Sequence, residues 1–438
     1  MSNAIALRPI ATRVLGTLIA FAAALGVFAL VNGTDPDAGA GAPAALDARA
    51  PAAGEPRIAE LQSAVAADPT DAAAATLLGD AYYLRARETG EPGFYERADR
   101  AYDAALATAP DDPLALTGAA TLALARHDFR QGLALAERAH AEEPGLLRPY
   151  PAIVDGQIEL GRYGAAARTL DRLVTLKPNL AAYARVSYFR ELTGDLGGAL
   201  QAMRLAVSSA AGGESLAYVQ TLTGGLELTR GNPAAAEGAY RAALAASPGY
   251  SPALAGLARV DAARGDLGAA IDGYREVVER LPLPEYAIAL AEAELAAGRD
   301  AAAARDLALV QVEARLLQDS GVNVDVELAL FEADHGDPAR AVELARAAWR
   351  AAPGVRSADA LSWALRSAGE GRAALASSRE AMRLGSADPT FLYHAGVIAA
   401  DAGRTGLARR YLTEVVERTP AFSPFHGPRA QATLEGLG

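Results

Sequence analysis

Residues 231–266 read GNPAAAEGAYRAALAASPGYSPALAGLARVDAARGD. After the turn Gly231-Asn232-Pro233, the residues Ala236, Tyr240 and Ala243 fall on one face at steps of four and three, as a helix requires. Pro248 ends that helix, because proline can neither donate the next hydrogen bond nor clear the preceding turn. A second helix is predicted from about Pro252, with Leu254, Leu257, Ala258 and Val260 apolar. Gly265-Asp266 then repeats the opening turn 34 residues after Gly231. The stretch is one helical hairpin.

The hairpin recurs. Turn glycines stand at Gly161, Gly194, Gly231, Gly265, Gly298, Gly336, Gly369 and Gly403, at intervals of 33 to 38 residues. A small residue, a large or second small one, another small or aliphatic one and a proline recur at fixed offsets. They are Ala98, Tyr102, Ala105 and Pro110 in one unit; Ala166, Leu170, Leu173 and Pro178 in another; then Ala236, Tyr240, Ala243 and Pro248, and Ala270, Tyr274, Val277 and Pro282. The pattern continues through Ala341, Ala345, Ala348 and Pro353 to Ala408, Leu412, Val415 and Pro420. A first-helix glycine is present at Gly79, Gly224 and Gly396. A period near 34 with two helices per unit is the mark of a solenoid, in which each hairpin buries its apolar face only by stacking on its neighbours. In period and motif the chain resembles the tetratricopeptide repeat family, of an exported bacterial type. That resemblance implies an all-α, right-handed α-solenoid of stacked helix-turn-helix repeats over residues 57–423, about ten units. Short helices at 57–67 and 424–438 are expected to cap its two ends. The unit beginning near Glu285 is less regular, with a long second helix over residues 301–317 and a break at Gln318-Asp319-Ser320-Gly321 that bends the superhelix or splits it.

The 438 residues are 51% apolar, carry a formal charge of −12 and include no cysteine. Disulfides, thiolate zinc sites and cysteine nucleophiles are therefore excluded. The acidic balance argues against a general nucleic-acid binder, which needs a basic stripe. Residues 14–31, VLGTLIAFAAALGVFALV, hold no charge; Arg8 and Arg13 precede them, and Asp35 and Asp37 follow. Eighteen apolar residues are about enough to span a bilayer. The flanking arginines put residues 1–13 in the cytoplasm and the rest outside it. The expectation is a single-pass membrane anchor with the repeats extracytoplasmic; cleavage as a signal peptide and secretion is the alternative. Residues 32–56, rich in Gly, Ala, Pro and Asp, read as a flexible linker.

No Gly-rich phosphate loop, nucleophile elbow or HExxH is present, so no enzyme and no cofactor is expected. The five histidines show no helical i, i+4 metal pair, although His394 and His426 would approach if the C-terminal tail folded back. The family's carboxylate clamp of lysine and asparagine is missing, since the only lysine is Lys177. The resemblance places first helices on the concave face and carries Arg148, Asp155, Arg185, Tyr188, Tyr218, Arg259, Glu292, Asp359, Trp363, Arg366, Tyr393 and His394 onto it. Nine of these, Arg185, Tyr188, Tyr218, Arg259, Asp359, Trp363, Arg366, Tyr393 and His394, are the candidate partner contacts, densest around Trp363. Aromatics beside arginine are the usual anchors of protein contacts. The expected function is an extracytoplasmic scaffold that holds a segment of another exported or membrane protein in its groove. An assembly factor for an envelope complex and a small-molecule or metal carrier are the alternatives.

Overall fold

The computed structural model describes residues 55–438; the apolar run 14–31 and nearly all of the linker lie outside the described residues. Among the described residues there are 22 helices and no strands. Helix α1 (Glu55–Ala67) stands alone at the start. The first three hairpins are α2 (Ala72–Thr89) with α3 (Gly93–Thr108), α4 (Pro113–Ala125) with α5 (Phe129–Glu142), and α6 (Tyr150–Glu159) with α7 (Tyr163–Leu176). Next come α8 (Leu180–Leu192) with α9 (Leu196–Ser208), α10 (Gly213–Thr229) with α11 (Pro233–Ala246), and α12 (Ser251–Ala263) with α13 (Leu267–Arg280). The remaining four pair α14 (Pro284–Ala296) with α15 (Asp300–Asp319), α16 (Asp325–His335) with α17 (Pro338–Ala351), α18 (Val355–Ser367) with α19 (Gly371–Ala381), and α20 (Pro389–Asp401) with α21 (Thr405–Arg418). Helix α22 (Gly427–Gly436) packs on the last hairpin.

The local causes are repeated along the chain. Asp71, Asp112, Asp128, Asp195, Asn232, Asp266, Asp337 and Asp388 each accept a backbone N–H of the first turn that follows them. Such caps satisfy donors that the helix itself leaves orphaned. Alanine-rich interiors supply propensity. Second helices bury one narrow stripe, such as Ala166, Leu170 and Leu173 on α7. First helices are buried on most sides; all ten residues of α6 are. The glycine–tyrosine spacing has a direct steric cause. Tyr102 of α3 lies between Gly79 of its own unit and Gly118 of the next, and a Cβ on Gly79 would stand 2.6 Å from the ring. Tyr240 of α11 is held in the same way between Gly224 and Gly256. An aromatic plate in each such groove needs a glycine on both sides of it.

The stack winds back onto itself. In hairpins two to five, the turn inside each unit meets the loop that follows the unit five further on. Arg126 Nε donates to the Gly321 carbonyl (3.2 Å), and Asn323 N–H donates to the Arg126 carbonyl (3.0 Å). His127 Nδ1 shares a 2.6 Å hydrogen bond with the Asn323 carbonyl. Arg130 donates to the carbonyls of Ala351 (3.0 Å) and Arg350 (2.9 Å). The Tyr163 hydroxyl accepts from Val355 N–H at 2.8 Å, 192 residues away. Gly194 lies against Gly385, and Gly231 against the Arg418 carbonyl. At Gly161, φ is +70° and an added Cβ would come 2.5 Å from the Pro353 carbonyl. These contacts form a seam along the superhelix. The break after α15 is part of it: the segment after Asp319 docks on Arg126 and His127 and does not divide the solenoid. Gly336 departs from the other turn glycines, with φ −132°, because the Glu332 carboxylate fills the turn and accepts from Asp337 N–H at 2.8 Å.

Candidate functional site

Because the coil closes, its inner face encloses space. A cavity of about 550 Å³ lies mainly among the first helices of units four to ten, α8, α10, α12, α14, α16, α18 and α20, with α6, α11 and α13 also reaching it. Its walls are largely aromatic and aliphatic, including Tyr240, Tyr274, Tyr286, Phe391 and Leu226. Five carboxylates line it, Glu159, Glu191, Glu285, Glu327 and Asp388, against two guanidiniums, Arg259 and Arg356. One corner is internally satisfied. The Tyr188 hydroxyl donates to Glu159 (2.9 Å). Burial opposes the charge on Arg356, yet Tyr188, Glu159 and Glu327 raise its pKa. Asp388 is committed as the cap of α20.

The other carboxylates are less well served. Burial pushes Glu191 up to about 7, helped by Asp388, while Arg356 and Arg259 pull it back. Burial pushes Glu285 up to about 8, with Glu327 and Glu313 adding to the rise. A carboxylate taken from water without enough compensation prefers to keep its proton. Ser187, only 1% exposed, lines the same cavity, and its Oγ has no hydrogen-bond partner among the described residues.

The nine candidate contacts separate into groups. Tyr188 and Arg259 line the cavity. Arg185 is 1% exposed and grips Asp155 with two hydrogen bonds of 2.9 and 2.7 Å, tying α8 to α6. Tyr218, on α10, is buried near that pair. Arg148, also carried onto the concave face, donates to Asp80 at 2.8 Å; the same carboxylate accepts from Tyr102.

The C-terminal group does come together, but under cover. Trp363 stacks on His394 with ring centroids 4.1 Å apart, and its Nε1 donates to Asp334 at 3.0 Å. His394 Nδ1 meets Asp359 at 2.9 Å. Tyr393 packs on Trp363 and Phe422. Asp359, Trp363, Tyr393 and His394 are all buried. The tail folds back as the sequence allowed: His426 lies 6.2 Å from His394, ring to ring, and its Nε2 faces Asp334 at 3.4 Å. Burial alone would raise the Asp334 carboxyl, but His426, His394 and Trp363 together hold it below the usual range. Arg366 is the member of this group that reaches the surface, pairing with Asp401 at 2.7 Å above the Trp363 ring. Glu292 faces His335 at 3.3 Å. Among the described residues no group of three or more His, Asp or Glu has a geometry that could hold a metal ion.

Sequence reasoning missed Glu191, Glu285, Glu327, Arg356 and Asp388. Glu191 was within reach, one helical turn beyond Tyr188 on the same face of α8. The others sit at the starts of first helices, where the sequence reads only as a capping region.

Residues 227–293 match the tetratricopeptide repeat family model. The match contains the hairpin quoted at the outset and runs from the end of α10 into α14. Among solved structures, the chain is similar to the human IFIT1 dimer with PPP-AAAA, at 13% identity and TM-score 0.48, over 72% of this chain and 73% of that one. It is similar to the APC/C hetero-tetramer Cut9-Hcn1 at 18% identity and TM-score 0.39, covering 83% and 63%. It is also similar to PilW, a type IV pilus biogenesis factor, at 20% identity and TM-score 0.40, covering 47% and 97%. No curated protein matches the sequence. Among the described residues no helix is long and apolar enough to cross a membrane.

Proposed function

We propose that this chain is a protein-binding scaffold, anchored by residues 14–31 with its repeats on the extracytoplasmic side. The observation that carries the reading is the stack of ten two-helix units, tetratricopeptide-like over residues 227–293, whose first helices turn a concave face inward. Repeat stacks of this kind present extended concave surfaces suited to binding. Of the candidate contacts, Tyr188 and Arg259 are proposed to meet the partner from inside the coil and Arg366 from its rim. The buried Arg185, Tyr218, Asp359, Trp363, Tyr393 and His394 are proposed to shape that face from beneath. The anchor is supported by the uncharged run at 14–31 behind Arg8 and Arg13, and an assembly role beside membrane partners would follow from it.

The test is photo-crosslinking in intact cells, with the reactive residue placed either at Arg259 or at Arg241, which projects outward from α11. A discrete adduct from Arg259 and none from Arg241 is the expected result. Equal labelling, or none, removes the groove from the account. Alkaline phosphatase fused after Gly438 should be active; an inactive fusion alongside an active cytoplasmic reporter overturns the orientation.

A further inference from the structure

We propose that the interior cavity is a binding site for an organic cation, an ammonium or guanidinium group carried on an apolar body. The cavity shares Tyr188 and Arg259 with the inner face proposed above for a partner, and the amine titration below is read without that partner.

The cavity's size is that of a small-molecule site. Its walls give an apolar body something to pack on, and their aromatic faces attract cations. Carboxylates are in excess among its charged groups. With Asp388 given to the α20 cap, Glu159, Glu191 and Glu327 act on Arg356 and Glu191 also on Arg259, so four carboxylates, counting Glu285, line the cavity with two guanidiniums. One oxygen of Glu327 has no hydrogen-bond partner among the described residues. Ser187 Oγ, buried in the same wall without a partner, is a fixed acceptor or donor waiting for a group that the protein does not supply. An anionic ligand would add to the excess of carboxylates, and a neutral apolar one would leave all these groups unsatisfied. A cation compensates the carboxylates, and an ammonium can donate to Ser187 as well.

Ligand and protons are linked. Empty, the cavity keeps Glu191 and Glu285 partly protonated, as their raised pKa values of about 7 and 8 require. The groups facing Glu191 are Asp388, Arg356 and Arg259; those facing Glu285 are Glu327 and Glu313. A bound cation favours the ionised carboxylates, so binding releases protons, and affinity rises with pH through the range in which both groups titrate.

The experiment is calorimetric titration of the purified full chain with 4-phenylbutylamine, 4-phenylbutanol and 4-phenylbutanoate, in two buffers of different ionisation enthalpy. The amine should bind at least about tenfold tighter than the alcohol, with the carboxylate weakest. Its apparent heat should differ between the buffers by an amount that reports proton release. Its affinity should climb from about pH 6 to about pH 8.5. The double variant Glu191→Gln, Glu285→Gln should lose the preference and the proton release while melting cooperatively; should it not fold, Glu285→Gln alone carries the same expectation at reduced size. Ser187→Ala should weaken the amine several-fold. A short peptide, acetyl-Phe-Lys-Phe-amide, separates the two sources of such a cation: binding places a basic side chain of a protein segment in the site, and exclusion with retained amine binding places a free amine there. A carboxylate that matches the amine, no binding by any probe at millimolar concentration, or an amine preference undiminished by Glu285→Gln overturns the proposal.

Discussion

Arg185 is among the largest side chains fully withdrawn from solvent; its charge is met by the Asp155 carboxylate, and the Pro151 and Ala181 carbonyls also accept from it. Breaking such a pair from one side strands a charge, whereas replacing both partners with apolar residues is often neutral or better. Arg185→Met should therefore destabilise the fold by about 3–5 kcal/mol, read as the urea midpoint at constant slope. Asp155→Leu added to it should recover most of that loss; no recovery would mean that the pair's role is geometric and not electrostatic. At the other end, Trp363 illustrates what a sequence withholds. Its register on a first helix and its neighbours Arg366, Tyr393 and His394 were legible, and the structure does gather these residues. What covers them is the tail carrying Phe422 and His426, which has no repeat motif to announce its position. Truncation after Pro420 should expose the indole and shift its fluorescence to longer wavelength in a Trp349→Phe background, with most helicity retained. An unshifted spectrum would show that the cover comes from elsewhere.

For the elements, the repeat was readable because each helix end and each helix crossing uses the same residues for the same reason. Aspartate caps, αL glycines and a tyrosine held between glycines recur at a fixed period, and period survives substitution better than any one position does. The weak units were those where a different group does the job. Gly336 is one, its turn filled by Glu332; the second hairpin's turn is another, where His127 takes φ +61° in place of glycine. Histidine tolerates that conformation better than β-branched residues do, and there it also bonds Asn323 across the seam. The seam itself gives a test. Gly161→Ala forces a side chain into a left-handed turn and against the Pro353 carbonyl, and should cost about 1–2 kcal/mol or more. Since the chain has no cysteine, spin labels placed at Asp128 and Asp319 report the gap directly. The distance should lengthen or broaden in the alanine variant; an unchanged distribution would mean that the seam is held by its remaining hydrogen bonds.

On the scale of the whole molecule, the cavity was not legible at all. It exists because a small rotation at every interface, accumulated over five units, brings one turn back onto a distant loop; no local pattern encodes that sum. Its carboxylates make the closed coil sensitive to pH. Glu191 and Glu285 have folded-state pKa values of about 7 and 8, raised above the ordinary carboxylate value near 4.5. Their ionisation therefore opposes folding: their cost is absent below about pH 4.5 and fully developed above about pH 8. The melting temperature should fall as pH rises across that window, and the Glu191→Gln, Glu285→Gln variant should flatten the fall; an equally steep profile in the variant would assign it to other groups. The seam also changes how the chain can reach this state. A simple solenoid can form unit by unit, each hairpin needing only its neighbour. Here hairpins two to five hold edges whose partners lie 187 to 221 residues later. During synthesis from the N-terminus those edges stay open until hairpins seven to ten and the loops after them have emerged. Nucleation can be local and early, but completion is late, slow for an all-helical chain, and concerted.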